Sequence, residues 1–280
     1  MATTTATPSR TAATRTFPLI AFFVLAYALS WIILVPAGLG LLPDSAGVLA
    51  WVAPFGPAVS AFVVTALTGG KLAVGRLLRR MVQWRVGVGW YLLVLFGVPL
   101  VELLGAFIVL GSVPLDDLAQ NWPLIFSSYL PQVLVAVVVI GLAEETGWRG
   151  FALPRLQEWR GPLVGTAVLA VVWAMWHLPN LLFGGYTGAS YALWLAQCLA
   201  VAFIYTWVYN NTGGSILLAA LLHAAINMGS GLVAGLVPGL EDAFNVHLYG
   251  AIALAFTVVA VVLVVATRGR LGYRAEGSSP

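Results

Sequence analysis

Residues 17–39 read FPLIAFFVLAYALSWIILVPAGL, an apolar run without a charged side chain. An α-helix needs about 20 mainly apolar residues to cross the hydrocarbon core of a bilayer. The apolar core of a secretory signal peptide is shorter, at roughly 7–15 residues. We therefore interpret this run as a first membrane span that is not cleaved.

The whole chain shares this apolar character. Of its 280 residues, 61% are hydrophobic and 8% are charged, whereas a soluble domain carries about 25% charged residues. A chain with so little polar surface is suited to lipid and not to water. The pattern favours an all-α, polytopic transmembrane helix bundle with about eight spans. The further predicted spans are 48–69, 88–112, 123–143, 162–183, 190–209, 215–237 and 247–267.

The charges between the apolar runs alternate in sign along the chain. With eight spans, every basic segment falls on the same side of the membrane. Because Lys and Arg concentrate in cytoplasmic segments, we expect both termini in the cytoplasm. The net charge of +3 therefore indicates topology, and we expect no nucleic-acid partner. The basic segments contain Arg10 and Arg15, Lys71 to Arg85, Arg149 to Arg160, and Arg268 to Arg274.

Three regions follow from this pattern. Residues 1–16 are predicted to be a disordered cytoplasmic tail, 17–267 the membrane domain, and 268–280 a second cytoplasmic tail. The composition is rich in Ala and has more Arg than Lys, which is typical of a high-GC bacterium. We therefore expect a multi-pass protein of the cell inner (plasma) membrane, with the lipid bilayer as its surroundings.

One segment at the end of the fourth predicted span carries paired acids. It reads Glu144-Glu145-Thr146-Gly147-Trp148-Arg149. Glu145 and Arg149 are four residues apart, so on a helix they share a face and can pair. Glu144 points about 100° away from Glu145 and is free for another role. An ordinary interfacial charge cluster would give the same pattern.

Two later segments place histidines inside apolar spans, where ionisable residues mark functional sites by default. Trp173 lies one helical turn before His177, and His223 lies four residues before Asn227, so each pair shares a helical face. The structural alternatives are a hydrogen-bonded core histidine and ordinary interhelical hydrogen bonding. Taken with Glu144, the two segments predict a site built between three helices.

These side chains suit the hydrolysis of an amide bond. A carboxylate and an imidazole can hold and deprotonate a water molecule, and an imidazole and an amide can donate hydrogen bonds to an oxyanion. His and Glu are also ligands of catalytic zinc. The sequence contains no His-Glu-x-x-His motif, no Gly-x-Ser-x-Gly motif and no pair of Asp residues within two spans.

The segments resemble the three motifs of the CAAX prenyl protease and bacteriocin-processing family, also called the Abi family. The stretch 144–156, EETGWRGFALPRL, is similar to its bacterial members. The second motif usually begins with Phe, whereas this chain has Trp. The matching positions are Glu144, Glu145 and Arg149 in the first motif, Trp173 and His177 in the second, and His223 and Asn227 in the third.

The resemblance implies an eight-helix intramembrane endopeptidase over 17–267 that acts on a peptide or protein at the membrane. Eukaryotic members cut prenylated CAAX proteins, whereas most bacteria lack protein prenylation. Zinc, bound through Glu144, His177 and His223, is one expectation, and a metal-independent glutamate mechanism is the other. The implied roles are water activation by Glu144 and His177, oxyanion stabilisation by His223 and Asn227, and site support by Glu145 and Arg149.

Two other functions remain open at this point. A non-catalytic immunity or scaffold protein could retain the same fold. A proton-coupled transporter could use buried Glu and His side chains as a relay. Transporters often show repeated halves, and this sequence shows no such symmetry. The remaining polar residues in spans receive structural interpretations: Glu102 faces the bundle interior, and Gln132 and Gln197 are interhelical hydrogen-bond donors.

The predicted span boundaries conflict with the predicted site. If the fifth span starts at residue 162, His177 lies about 22 Å along it, whereas Glu144 ends the fourth span near the cytoplasmic surface. The two side chains could not then share a water molecule. We therefore expect either that the fourth span extends past residue 145 or that the fifth begins later.

Overall fold

The structure, a computed structural model, describes residues 12–43, 48–49, 51–111, 115–185, 188–237 and 246–274. Within these ranges every regular element is helical. The α-helices are α1 (Ala12–Gly38), α2 (Gly56–Met81), α3 (Val88–Leu110), α4 (Leu115–Asn121), α5 (Leu130–Ala136), α6 (Leu142–Gly147), α7 (Leu153–Trp176), α8 (Leu178–Phe183), α9 (Gly188–Asn211), α10 (Ile216–Leu236) and α11 (Val246–Ala266).

Seven helical stretches of the described residues are long and apolar enough to span a membrane. One of them, Ile125–Trp176, has 52 residues and covers most of the fourth and fifth predicted spans. The prediction of an all-α, multi-pass bundle with about eight spans is thereby confirmed. Helix α10 is central, because 67% of its span is buried inside the protein, against 22% for α1.

The stretch Ile125–Trp176 makes two passes because the chain reverses at Gly161. The backbone there has φ 77° and ψ 171°, a conformation that glycine adopts without a steric penalty. The arms before and after the turn touch, since a Cβ at Gly165 would lie 2.8 Å from the main-chain carbonyl carbon of Leu156. The predicted end of the fourth span at residue 143 is therefore wrong. The fifth span, predicted as 162–183, starts directly after the turn, but its helix breaks at His177.

The segment 144–161, predicted to connect two spans, is helical and begins inside the bundle. Glu145 and Arg149 are fully buried, so the fourth span continues past residue 145, as the first alternative required. Glu144 lies 17 residues before Gly161 and His177 lies 16 residues after it. At about 1.5 Å per residue, arms of nearly equal length bring both side chains to a similar level.

A second glycine turn divides α2 into two parts. The predicted span 48–69 ends where Gly70 adopts φ 63° and ψ −167° inside α2. The two parts of α2 both pack against the helical segment that precedes α7. Pro57, before the turn, lies against Gly147, and Leu77, after the turn, lies against Gly150. The basic residues of the segment after Gly70 therefore lie on a short returning helix.

The helix that carries the two glutamates is irregular and tightly packed. π-Helical turns at Val137–Gly141 and Trp148–Ala152 flank α6, and π turns recur at functional sites. Helix α6 approaches α2 closely, since a Cβ at Gly147 would lie 2.7 Å from the main-chain oxygen of Pro57. The absence of a side chain at this position lets α6 sit deep in the bundle.

The remaining predictions concern the two ends of the chain and two polar residues in the spans, Glu102 and Gln132. Helix α1 begins at Ala12, inside the segment predicted as a tail, and Leu271 of the second predicted tail is fully buried. Residues 1–11 and 275–280 lie outside the described residues. Glu102 is fully buried, as its interior position predicted. Gln132 donates to Ser128 one turn back on its own chain, so its interhelical interpretation is wrong.

Candidate active site

The four predicted catalytic side chains line one cavity of about 460 Å³. Glu144 comes from α6, and His223 and Asn227 come from α10. His177 lies at the break between α7 and α8, where its main chain leaves the helical conformation at φ −79° and ψ 0°. Pro179 follows two residues later and has no N–H for a continued helix, which accounts for the break.

Two indole groups hold the carboxylate of Glu144. Trp173 Nε1 donates a hydrogen bond to Glu144 Oε2 at 3.0 Å, and Trp148 Nε1 donates to the same oxygen at 3.3 Å. The exposed fraction of Glu144 is 3% and that of Trp148 is 0%. Because both donors converge on Oε2, the other oxygen, Oε1, stays available to the cavity.

Both histidines direct Nε2 toward Glu144. His177 Nε2 lies 4.0 Å from Glu144 Oε2, and His223 Nε2 lies 4.0 Å from Glu144 Oε1. His177 Nδ1 is 2.9 Å from the main-chain oxygen of Trp173, which only accepts hydrogen bonds, so this Nδ1 carries a proton. In the neutral imidazole, Nε2 is then an acceptor that faces the carboxylate.

Glu145 joins His223 to Arg149. Its Oε1 lies 2.8 Å from His223 Nδ1 and 2.9 Å from Arg149 Nη1, so it orients the imidazole and pairs with the guanidinium at once. The guanidinium of Arg149 also contacts two rings, with Cζ 4.6 Å from the ring centre of Trp173 and 4.0 Å from that of Tyr205. The contact between Glu145 and Arg149 that the spacing predicted is present.

The gaps around Glu144 match the size of a water molecule. At hydrogen-bond lengths of about 2.8 Å, one water molecule reaches both atoms of a pair 4.0 Å apart. Each Nε2 and the facing carboxylate oxygen are acceptors, so such a water would donate both of its hydrogens and point its lone pairs into the cavity. This arrangement can present a water nucleophile to a carbonyl carbon.

The same three side chains fit zinc less well. Two imidazole nitrogens and a carboxylate are suitable ligands, but zinc bonds of about 2.0–2.1 Å in a tetrahedron put neighbouring donor atoms roughly 3.3–3.4 Å apart. The two distances of 4.0 Å between Glu144 and the histidines exceed that spacing. Among the described residues, no group of three His, Cys, Asp or Glu side chains has the geometry of a metal site. Zinc binding stays a prediction.

Several residues of the site were not predicted from the sequence. Trp148 and Tyr205 contact the charged side chains, and Asn180 and Gln197 line the cavity. Gln197 was interpreted as an interhelical hydrogen-bond donor, and its place on the cavity wall was not predicted. The sequence offered one signal, since Trp194, Gln197, Val201 and Tyr205 recur at helical spacing and form the cavity-lining face of α9. Glu102 does not line this cavity.

Comparisons with known proteins point to one family. Residues 126–229 match the family model described as type II CAAX prenyl endopeptidase Rce1-like. A segment of 117 residues is 27% identical to CAAX prenyl protease 2 of Methanococcus maripaludis and covers 39% of this chain and 43% of that relative. The match thus spans less than half the length of the curated relative.

The matched residues 126–229 contain all three motifs, from Glu144 to Asn227. They also contain Trp148, Trp173, His177 and His223, whose nitrogen atoms lie within 4.0 Å of the Glu144 carboxylate, and the multi-pass helical bundle agrees with a membrane protease family. The resemblance to the CAAX prenyl protease family is therefore confirmed for residues 126–229 of this chain.

Proposed function

We propose that this protein is a membrane-embedded endopeptidase that hydrolyses a peptide bond of a membrane-associated or lipid-modified, CAAX-like substrate. The observation that carries the proposal is the position of Glu144, whose two oxygens each lie 4.0 Å from the Nε2 atom of a histidine inside a cavity of about 460 Å³. The similarity to CAAX prenyl protease 2 of Methanococcus maripaludis makes a prenylated CAAX peptide the first substrate to test.

The reaction uses a water molecule held between Glu144 and an imidazole. Glu144 accepts a proton from the water as its oxygen bonds to the substrate carbonyl carbon. The carbonyl oxygen gains negative charge, which a histidine in its imidazolium form and the amide of Asn227 stabilise by donating hydrogen bonds. The C–N bond then breaks, and the proton on Glu144 passes to the leaving amine. No step requires a metal ion.

The enclosed position of the site has a consequence for binding. A peptide that enters a bundle surrounded by lipid loses water from its main-chain groups, each of which costs free energy unless it finds a partner. The cavity offers amide side chains at Asn180, Gln197 and Asn227 among apolar walls such as Leu34 and Leu181. This mixture suits a short extended peptide segment with an apolar attachment.

Cleavage by the purified protein tests the proposal. The wild type and the variants Glu144→Gln and His223→Gln are reconstituted in vesicles with a prenylated CAAX peptide and its unprenylated counterpart. We expect the wild type to cleave and each variant to lose about 10²–10⁴-fold in kcat. Glu158→Gln is the matched control, because this glutamate is on the exposed surface of α7 and its variant should cleave like the wild type.

Two results would contradict the proposal. Equal cleavage by the wild type and Glu144→Gln would show that Glu144 is not the base, and no cleavage of any peptide by a folded wild type would remove the endopeptidase assignment. Zinc analysis of the same samples, before and after chelation, tests the separate prediction of a metal on Glu144, His177 and His223.

A further inference from the structure

The two indole donors on Glu144 distinguish its oxygens. Trp173 and Trp148 both donate to Oε2, at 3.0 and 3.3 Å. An sp² carboxylate oxygen has two lone pairs in the plane of the group, so these two bonds occupy the hydrogen-bonding capacity of Oε2. Oε1 has no such donor among the described residues and faces His223 Nε2 at 4.0 Å.

The donors are themselves fixed by packing. Trp148 is fully buried and lies edge-on to Phe22 and Trp176, with ring centres 5.5 and 5.7 Å apart. Trp173 lies edge-on to Tyr205 at 5.6 Å and carries the guanidinium of Arg149 on its face. Neither indole can therefore turn away from Glu144 without disturbing its neighbours, and the carboxylate is held in one rotation.

His223 faces Oε1 of Glu144 and is held in place by Glu145. Its Nδ1 is bonded to Glu145 at 2.8 Å, and because that carboxylate oxygen accepts, the Nδ1 atom is protonated. The neutral ring then offers an unprotonated Nε2 to the same space that Oε1 faces. His177 Nε2, in contrast, faces the oxygen that the two indoles already occupy.

We propose that Trp148 and Trp173 are positioning residues that commit Oε2 of Glu144 to their indoles and leave Oε1, opposite His223, as the oxygen that receives the proton of the attacking water. This inference rests on the proposed function. The water donates one hydrogen to Oε1 and one to His223 Nε2, and the hydrogen on Oε1 is transferred as the new C–O bond forms. This assignment places the attacking water beside His223, whereas the family resemblance implies that the water lies beside His177.

The chain offers substitutions that remove only the N–H donors. Trp148→Phe and Trp173→Phe keep an aromatic ring but no hydrogen-bond donor. We expect each to lower kcat about 10-fold and the pair about 100-fold, because misplacing a reacting group by around 1 Å can cost 10²-fold. KM should change by less than about 3-fold, and the melting temperature should stay close to that of the wild type.

Trp31→Phe is the matched control. Its indole donates to the main-chain oxygen of Trp176 at 2.9 Å, so the same substitution removes a donor of the same kind without touching Glu144. Its kcat should equal that of the wild type. A loss of kcat in Trp31→Phe as large as in Trp173→Phe, or a rise in KM without a fall in kcat, would overturn the positioning role.

A double-mutant cycle tests where the water lies. If Oε1 and His223 hold the water together, His223→Gln should lower kcat less in the Trp148→Phe/Trp173→Phe background than in the wild type, because the oxygen opposite His223 is no longer fixed. The loss from His177→Gln should be the same in both backgrounds. Coupling to His177 in place of His223 would overturn the placement of the water.

A measurement without catalysis separates this inference from the proposed function. In protein labelled with ¹⁵N at the indoles, Glu144→Met removes both acceptor oxygens. The N–H proton resonances of Trp148 and Trp173 should move upfield, while that of Trp31 should not move. Unchanged resonances would overturn the inference even if the enzyme cleaves. A wild type that cleaves no peptide would overturn the proposed function while these resonances still report the two bonds.

Discussion

The charged network behind the candidate active site depends on one oxygen of Glu145. Glu145 Oε1 bonds to both His223 and Arg149, whereas Glu145 Oε2 and the Nε and Nη2 atoms of Arg149 have no hydrogen-bond partner among the described residues. All three side chains are buried. A buried charge that loses its partner is strongly unfavourable, so the network ties the orientation of His223 to the stability of the protein.

We expect Arg149→Met to destabilise the protein by about 3–5 kcal/mol, because it leaves the carboxylate of Glu145 buried without its cation. The double variant Glu145→Met/Arg149→Met removes both charges and should recover part of this loss. Thermal unfolding in detergent measures both, and activity should stay absent in the double variant because His223 loses its acceptor. A double variant less stable than Arg149→Met would contradict this account.

At the level of single residues, the sequence predicted four side chains that the structure brings to one cavity, Glu144, His177, His223 and Asn227. Their catalytic roles stay predictions. The part played by Trp148 was not, because the direction of an indole N–H depends on side-chain packing and not on position along the chain. Trp173 was predicted only to share a helical face with His177, and its hydrogen bond to Glu144 appears in the folded structure.

At the level of helices, the existence of the spans followed from hydropathy, but their boundaries did not. The fourth span was predicted to end at residue 143, directly before the first charges. Glu144, Glu145 and Arg149 are buried in the bundle, and the chain turns instead at Gly161, followed by Pro162. Gly-Pro dipeptides mark turns, so Gly161-Pro162 carried the missing information.

Close packing of α6 on α2 gives a prediction for stability. We expect Gly147→Ala to destabilise the protein by about 1–3 kcal/mol, the usual range for overpacking, because its Cβ would lie 2.7 Å from the main-chain oxygen of Pro57. Gly75→Ala is the control, since nothing lies within 4 Å of a Cβ there and Ala is the better helix former.

Thermal unfolding of both variants in the same detergent measures the difference. Gly75→Ala should be as stable as the wild type or more so. If Gly147→Ala matches Gly75→Ala in melting temperature, α6 is not packed as closely on α2 as the structure shows.

For the whole molecule, the predicted eight passes would put both termini on one side of the membrane, and the basic segments predict that this side is the cytoplasm. We expect single cysteines at Ser9 and Ser278, in a Cys198→Ala background, to be protected from an impermeant maleimide in intact cells. A cysteine at Ser112, between the third and fourth spans, should be labelled. Labelling at either terminus in intact cells would contradict this topology.

The reversal at Gly161 has a further consequence for chain length. Glu144 and His177 meet because the two arms of the hairpin measure almost the same, 17 and 16 residues. Adding one helical turn to a single arm would slide one partner past the other by about 5.4 Å. Equal additions to both arms would leave the meeting point untouched. Relatives with this site can therefore lengthen or shorten the hairpin only in matched pairs, so insertions before and after the turn should covary.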